Sequence, residues 1–212
     1  MELSDILKDL RIEVEADDRV REKILPLSRD SVRKCSESVK KTHQGDFEEA
    51  RALVNAAHQI IEEAIKELPA SDFMTKSRAL DIAYQELAEA SNILSLIETG
   101  KYTLPNEYNI PSRPYLNGLA DVIGELRRAA LDFLRRDDVS RAEILLVYME
   151  DILEGLQSFD YPNALVPDLR RKCDVGRSLV ERTRGDLTRA VGQSRLVKEL
   201  ADFEKRIRGG QE

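Results

Sequence analysis

An all-α fold, a single-domain bundle of about seven helices over residues 1–212, is what this sequence predicts. Three observations carry the prediction. Charged residues make up 34% of the chain while Gly (10) and Pro (7) are scarce, which is the composition of long helices. No segment alternates apolar and polar residues with the period of two that a half-buried strand needs. The strong breaks are few, and they divide the chain into pieces of helical length.

The elements follow in order. Residues 3–16 read as a short amphipathic helix and residues 17–44 as a long one, with Pro26 as a kink or boundary. His43-Gln-Gly-Asp46 ends it, and Asp46 is placed to cap a helix over 47–68. Residues 69–72 form a loop, with Ser71 or Asp72 capping a helix over 73–98. The stretch 99–114 holds Gly100, Pro105, Pro111, Pro114 and two tyrosines, Tyr102 and Tyr108, just ahead of Tyr115. It reads as a structured loop or lid. A helix over 115–136 comes next, and Asp137-Asp138 turn into another over 139–158. Tyr161-Pro162-Asn163 breaks that one before a long helix over 165–190. Residues 193–208 form a charged helical tail, and residues 209–212 are frayed.

The bulk numbers limit the function classes. The net charge of −7 disfavours a nucleic-acid coat, because phosphate binding needs positive charge. It leaves room for an enzyme that concentrates its basic groups in one groove. Arg33-Lys34, Lys40-Lys41, Arg127-Arg128, Arg135-Arg136 and Arg170-Arg171-Lys172 are such clusters, although a solvated helix face is the first reading of each. Cys35 and Cys173 lack metal-ligand spacing, and no signal peptide or apolar run of membrane-spanning length is visible. A reduced, cytoplasmic protein with no membrane contact is expected.

Two pairs of carboxylates stand out. Asp121 and Glu125 lie one turn apart and share a stripe with Gly118 and Arg128. That stripe points away from the apolar seam of Leu116, Leu119, Ile123, Leu126, Ala130 and Phe133. Glu86 and Glu89 fall inside the broad apolar arc of their own helix, beside Ile82 and Ile93, whereas Asp81, Gln85 and Asn92 lie on the polar side. A carboxylate among core residues is costly unless paired or bound to metal. Pairing with Arg, or a helix edge open to solvent, would also satisfy both. If the two helices pack, four carboxylates converge, and an all-oxygen set suits Mg²⁺ or Mn²⁺ better than Zn²⁺. Neither histidine, His43 or His58, has the Glu-x-x-His spacing of a di-iron bundle. Both read as surface or capping residues. No P-loop, nucleophile elbow or Cys-x-x-Cys is present. Tyr102, Tyr108 and Tyr115 could stack on bases, though packing of the loop is the commoner role.

Four segments together resemble the translin superfamily, and its translin-associated factor X branch in particular. They are Arg21-Glu-Lys-Ile-Leu-Pro-Leu-Ser-Arg-Asp30 with Thr42-His-Gln-Gly45, then Gln85-Glu-Leu-Ala-Glu-Ala90. Next come Tyr115-Leu-Asn-Gly-Leu-Ala-Asp-Val-Ile-Gly-Glu-Leu126 and the basic helix Leu169-Arg-Arg-Lys-Cys-Asp-Val-Gly-Arg-Ser-Leu-Val-Glu181. The resemblance implies a seven-helix fold, closed octameric shells that hold RNA inside, and Mg²⁺-dependent endoribonuclease activity. It assigns the catalytic and metal-holding roles to Glu86, Glu89, Asp121 and Glu125, the four acids that the helical wheel singles out. The chain lacks the long N-terminal extension and the long insert of the eukaryotic factor, so it is expected to assemble as a homo-oligomer.

The expected activity is cleavage of single-stranded or nicked RNA. An RNA-facing lining of Arg29, Arg33, Lys34, Lys40 and Lys41, with Arg128, would reconcile RNA binding with an acidic chain; exposed ion pairs of little energetic weight are the alternative. The rival functions are a non-catalytic translin-like shell that binds RNA or single-stranded DNA, and a helical adaptor.

Overall fold

The first helix is longer than its sequence suggests. In the computed structural model, which describes residues 3–66 and 80–209, α1 runs unbroken from Leu3 to Gln44 and passes through Pro26. The predicted boundary near residue 17 is absent. A proline inside a helix costs roughly 3 kcal/mol, but Ile24 and Ser28, on either side of Pro26, are both anchored in the core. Burial on both flanks holds the helix together across the defect.

Helix α2 (Phe47–Lys66) follows the turn at Gly45, whose φ of 82° lies in the left-handed region. Asp46 caps it as expected: its carbonyl accepts the first helical bond, from the Ala50 N–H at 3.0 Å, and its carboxylate accepts from the Glu49 backbone N–H. Hydrogen bonding to the Glu49 side chain, and then to the Glu49 backbone, lowers the Asp46 carboxyl pKa. The predicted loop at 69–72, its Ser71 or Asp72 cap and the helix start at 73 lie outside the described residues. Helix α3 is described from Asp81 to Thr99. It ends on Gly100, which has a φ of 70° and donates its N–H to the Leu96 carbonyl at 3.1 Å.

The 99–114 stretch is ordered, with a 3₁₀ turn at Pro105–Glu107. Helix α4 (Ser112–Leu134) starts earlier than predicted, with Pro114 in its first turn, where a missing N–H costs little. Helix α5 (Val139–Gln157) is capped by Asp138, whose carboxylate accepts from the Arg141 N–H. Helix α6 (Leu169–Gly209) starts later than predicted because residues 162–168 continue the turn. The Leu165 N–H reaches the Pro162 carbonyl at 2.9 Å, and the Asp168 N–H reaches Asn163 Oδ1 at 3.2 Å. The predicted break near 191–192 is absent, because one glycine at Gly192 costs only about 1 kcal/mol in a helix. The described residues thus hold six α-helices and no strand, an all-α fold.

The chain divides into two compact units, residues 1–119 and 120–212, with the boundary inside α4. In the first unit α1 packs on α2 and α3, and α2 packs on α3. The face that α1 buries is small and polar: Ser28, Ser31, Cys35, Ser38 and Thr42. Small side chains let helices approach closely, and hydroxyls cross the gap. Ser31 Oγ donates to the Ala57 carbonyl at 3.1 Å, and Ser38 Oγ to the Ala50 carbonyl at 2.8 Å. Val54, Ile61, Leu80, Leu87 and Leu94 supply apolar bulk around this seam. In the second unit α5 packs on α6. The buried residues there include Leu145, Met149, Ile152, Leu156 and Val180.

Among the described residues, no helix is long and apolar enough to cross a membrane.

Candidate functional site

Helix α3 is buried on nearly every side, and this sets the environment of its two glutamates. Ala83, Leu87, Ala88, Ala90 and Ile93 are fully buried, and Glu86 and Glu89 are half-buried among them. The wheel placed both acids correctly but misplaced two neighbours. Ile82, expected in the apolar arc, is 64% exposed in the first turn of the helix. Asn92, expected on the polar face, is fully buried, because a helix enclosed this completely has no solvent side at that level.

Charge from the two glutamates reaches into the bundle. Cys35, on the buried face of α1, has its thiol pushed far above the ordinary cysteine range, first by burial and then by the negative charges of Glu86 and Glu89. This thiol is inert rather than nucleophilic.

Gly118 brings α4 against α3. A Cβ on Gly118 would stand 2.4 Å from the Gln85 carbonyl oxygen, 2.7 Å from the Ala88 Cβ and 3.2 Å from the Glu89 nitrogen. The close approach that glycine permits is therefore made to the α3 backbone, beside Glu89. Asp121 lies one turn further along α4 on the same stripe, and Glu125 one turn beyond that. Of the apolar seam, Ile123, Leu126 and Ala130 are buried, and Leu116, Leu119 and Phe133 are half-buried.

Both α4 acids face a base. Lys172 Nζ on α6 donates to Asp121 Oδ2, and the two side chains are only 14% and 30% exposed. Arg128 Nη1 lies 3.5 Å from Glu125 Oε2. A cavity of about 290 Å³ opens beside the first pair, lined by Asp121, Gly124, Arg171, Lys172, Gly176 and Leu179 among others. Sequence reasoning counted Lys172 only within a basic run. Its register with Leu169, Gly176 and Leu179, spaced three, four and three, was the signal that it belongs to the inner face of α6.

Replacing Lys172 by Met should cost about 1–2 kcal/mol, between the values for exposed and fully buried pairs, because it strands a partly buried Asp121 charge. The double variant Lys172→Met/Asp121→Asn should regain most of that loss in urea unfolding. Additive losses would show that the two groups do not interact.

The donor set on these helices is all oxygen, in two pairs. Among the described residues, no three His, Cys, Asp or Glu side chains come together as a metal-ligand group. Mg²⁺ takes one or two carboxylates and keeps several waters, so a pair on one helix is a chemically sufficient foothold.

The basic residues are largely matched on their own surface. Arg33 pairs with Asp30, Lys34 lies 3.7 Å from Glu37, and Lys41 bonds Glu49 and sits 3.4 Å from Asp46. Arg29 and Lys40 are exposed. Two of the three tyrosines pack. Tyr115 Oη donates to the Thr103 carbonyl at 2.5 Å, and Tyr108 meets His58 edge to face at 5.3 Å. His58 is half-buried, with Nε2 3.5 Å from Glu62, so it is neither a cap nor a surface group.

Comparison with known proteins agrees with this architecture. The chain matches the Translin family over residues 7–184. A protein of Methanocaldococcus jannaschii that carries no functional description is 36% identical over 186 residues, covering 86% of this chain and 82% of that one. A crystal structure of AfC3PO is 34% identical with a TM-score of 0.78, covering 88% of this chain and 97% of that one. A structure of the AfC3PO–duplex RNA complex gives 33% and 0.77 over the same shares. Apo-NeC3PO, at 19% identity, shares the fold with a TM-score of 0.76 over 87% of this chain and 96% of that one. With matched residues that take in both carboxylate pairs and Lys172, the chain belongs to the Translin family.

Proposed function

We propose that this protein binds RNA and cleaves it, as a metal-dependent endoribonuclease of the factor X type within a closed homo-oligomeric shell, an octamer by resemblance. The half-buried pair Glu86 and Glu89, whose charge reaches the buried Cys35, carries the reading. Two carboxylates three residues apart on one helix lie within one turn of each other, and an oxygen pair of that kind suits a hard cation such as Mg²⁺. RNA as the substrate class is supported by AfC3PO, about one-third identical over 88% of this chain and described in complex with duplex RNA.

The residues assigned to the cation are Glu86 and Glu89 on α3 and Asp121 and Glu125 on α4. When bound there, Mg²⁺ or Mn²⁺ supplies neutralisation of the phosphodiester charge and a lowered pKa for a coordinated water. The chain's own groups do the rest. The packing of Gly118 on α3 fixes that stretch of α4 beside Glu89. Lys172 and Arg128 orient the α4 carboxylates.

The test is cleavage of a labelled RNA, single-stranded and duplex, in Mg²⁺, Mn²⁺ or EDTA, beside Glu86→Gln and Glu125→Ala. Metal-dependent cutting to 5′-phosphate and 3′-hydroxyl ends is expected. Each variant should lose about 100-fold or more, the scale on which misplacing a group at the reacting centre is felt. Products ending in 2′,3′-cyclic phosphate would overturn the metal-activated-water route.

The second reading is a non-catalytic shell that binds RNA or single-stranded DNA. It is favoured by one observation, the engagement of Asp121 by Lys172. Tight binding without cutting in any metal would establish it.

A further inference from the structure

Two stretches of helix present apolar seams to solvent. In the first turns of α1, Leu3, Ile6, Leu7, Leu10 and Val14 fall within an arc of about 100° and are 42% to 70% exposed. At the end of α6, Leu196, Leu200, Phe203 and Ile207, spaced four, three and four, are 49% to 61% exposed. Alternating three- and four-residue spacing is the pattern of a helix that packs lengthwise on another helix. Lone exposed apolar residues need no explanation, but two continuous seams do.

The seams differ in how they relate to their own units. The α1 seam runs on along the helix into Ile24 and Ser28, the face that α1 buries. The α6 seam lies about 180° round the helix from Leu169, Val180 and Leu187, the residues that α6 buries. It is a separate surface, not an extension of the core stripe. It also falls beyond the family match, which ends at residue 184.

Charge selects the occupant. Residues 3–19 carry six acidic and three basic side chains, whereas residues 191–208 carry five basic and three acidic. In the tail each acid already faces a base on the same helix: Glu199 with Arg195, Asp202 with Lys205, and Glu204 with Arg208. The surplus is Lys198 and Arg206. Two α1 seams would bring like acidic charge together, and two α6 seams like basic charge; one of each is complementary.

We propose that the two seams are the halves of one contact between copies of this chain, the α1 seam of one copy receiving the α6 tail of a second. Such a contact is head-to-tail, the kind that closes rings, and each copy offers both halves. This does not rest on the nuclease reading, and it holds for a shell that only binds RNA.

Cysteine trapping in the full-length chain tests it. Chains carrying Leu10→Cys and chains carrying Leu200→Cys are co-expressed and treated with a flexible bis-maleimide spanning about 10 Å, roughly two helical turns. Both native cysteines are buried and do not compete. The expected product is a covalent dimer whose linked peptides come one from each variant, with little dimer from either variant alone. Absence of the mixed dimer overturns the proposal, and so does equally efficient cross-linking of Leu200→Cys with itself.

A second variant, Leu200→Glu/Phe203→Glu, should lower the assembly mass by light scattering without changing helical content. An unchanged mass with weakened RNA binding would make the tail a nucleic-acid arm and would also overturn the proposal.

Discussion

Gly118→Val should destabilise the protein by about 3 kcal/mol, the upper part of the range for overpacking a tight contact, and should abolish any activity that depends on Glu89. The added atoms have nowhere to go. The first of them would stand 2.4 Å from the Gln85 carbonyl oxygen, a backbone atom that cannot swing aside as a long side chain could. Alanine carries the same first atom, so Gly118→Ala should be destabilising as well, against the gain of about 1 kcal/mol that helix propensity alone would give.

Gly124 provides the internal control. It lies on the same helix, and a Cβ there meets nothing within 4 Å. Gly124→Ala should therefore stabilise the protein by about 0.5–1 kcal/mol. Urea unfolding of the three variants separates the two effects. Equal responses at 118 and 124 would show that Gly118 is not a packing glycine.

Asn92→Ala should cost about 2–3 kcal/mol, the sum of a buried donor left unsatisfied and a small cavity. Asn92 is fully buried, and its two ends do different jobs. Its Nδ2 donates to the Ala88 carbonyl at 2.8 Å, while its Oδ1 accepts the Thr103 N–H at 3.1 Å. Thr103 in turn donates its hydroxyl to the Ser91 carbonyl at 3.0 Å and accepts from Tyr115 Oη. The Tyr115 hydroxyl has its pKa raised chiefly by burial, while a hydrogen bond to Asn92 partly offsets the shift.

Asn92 thus ties the chain after Gly100 to α3 at one end and to the start of α4 at the other. Its loss should show as faster amide exchange at Thr103 as well as reduced stability. An isosteric Asn92→Leu fills the cavity but still strands the Thr103 N–H. A full recovery of stability in that variant would show that packing, not hydrogen bonding, is what Asn92 provides.

Helix class was legible in the sequence, and helix number only roughly, because scarce glycine, scarce proline and clear breaks are local signals whereas the boundaries expected near residues 17 and 191 are absent. The helix end at Gly100, the Asp46 cap and the turn at Asp137-Asp138 were legible for the same reason: a glycine, or an acid before a helical run, acts on its own neighbours. Glu86 and Glu89 were legible as unusual acids, since a carboxylate inside an apolar arc conflicts with its surroundings wherever the helix packs. The family resemblance supplied the roles assigned to them, which periodicity alone does not contain.

Tertiary packing decided the remainder, at residues whose local signals point the wrong way. Pro26 looks like a boundary, yet burial of Ile24 and Ser28 outweighs the proline defect. Ser31, Cys35, Ser38 and Thr42 look like a solvated face and are instead the seam along which α1 packs, because small hydroxyls bonded to α2 carbonyls are as satisfied there as in water. Asn92 looks exposed until the 100–104 segment folds over it and supplies its partner. Lys172 looks like one of three surface bases until α6 turns it toward Asp121, 51 residues away in sequence. The sequence by itself determined the all-α class, the caps and the acids that stand out, because each depends on residues within a turn or two. Only the tertiary structure decided which polar side chains are buried and what they bind, because that depends on partners brought together by folding.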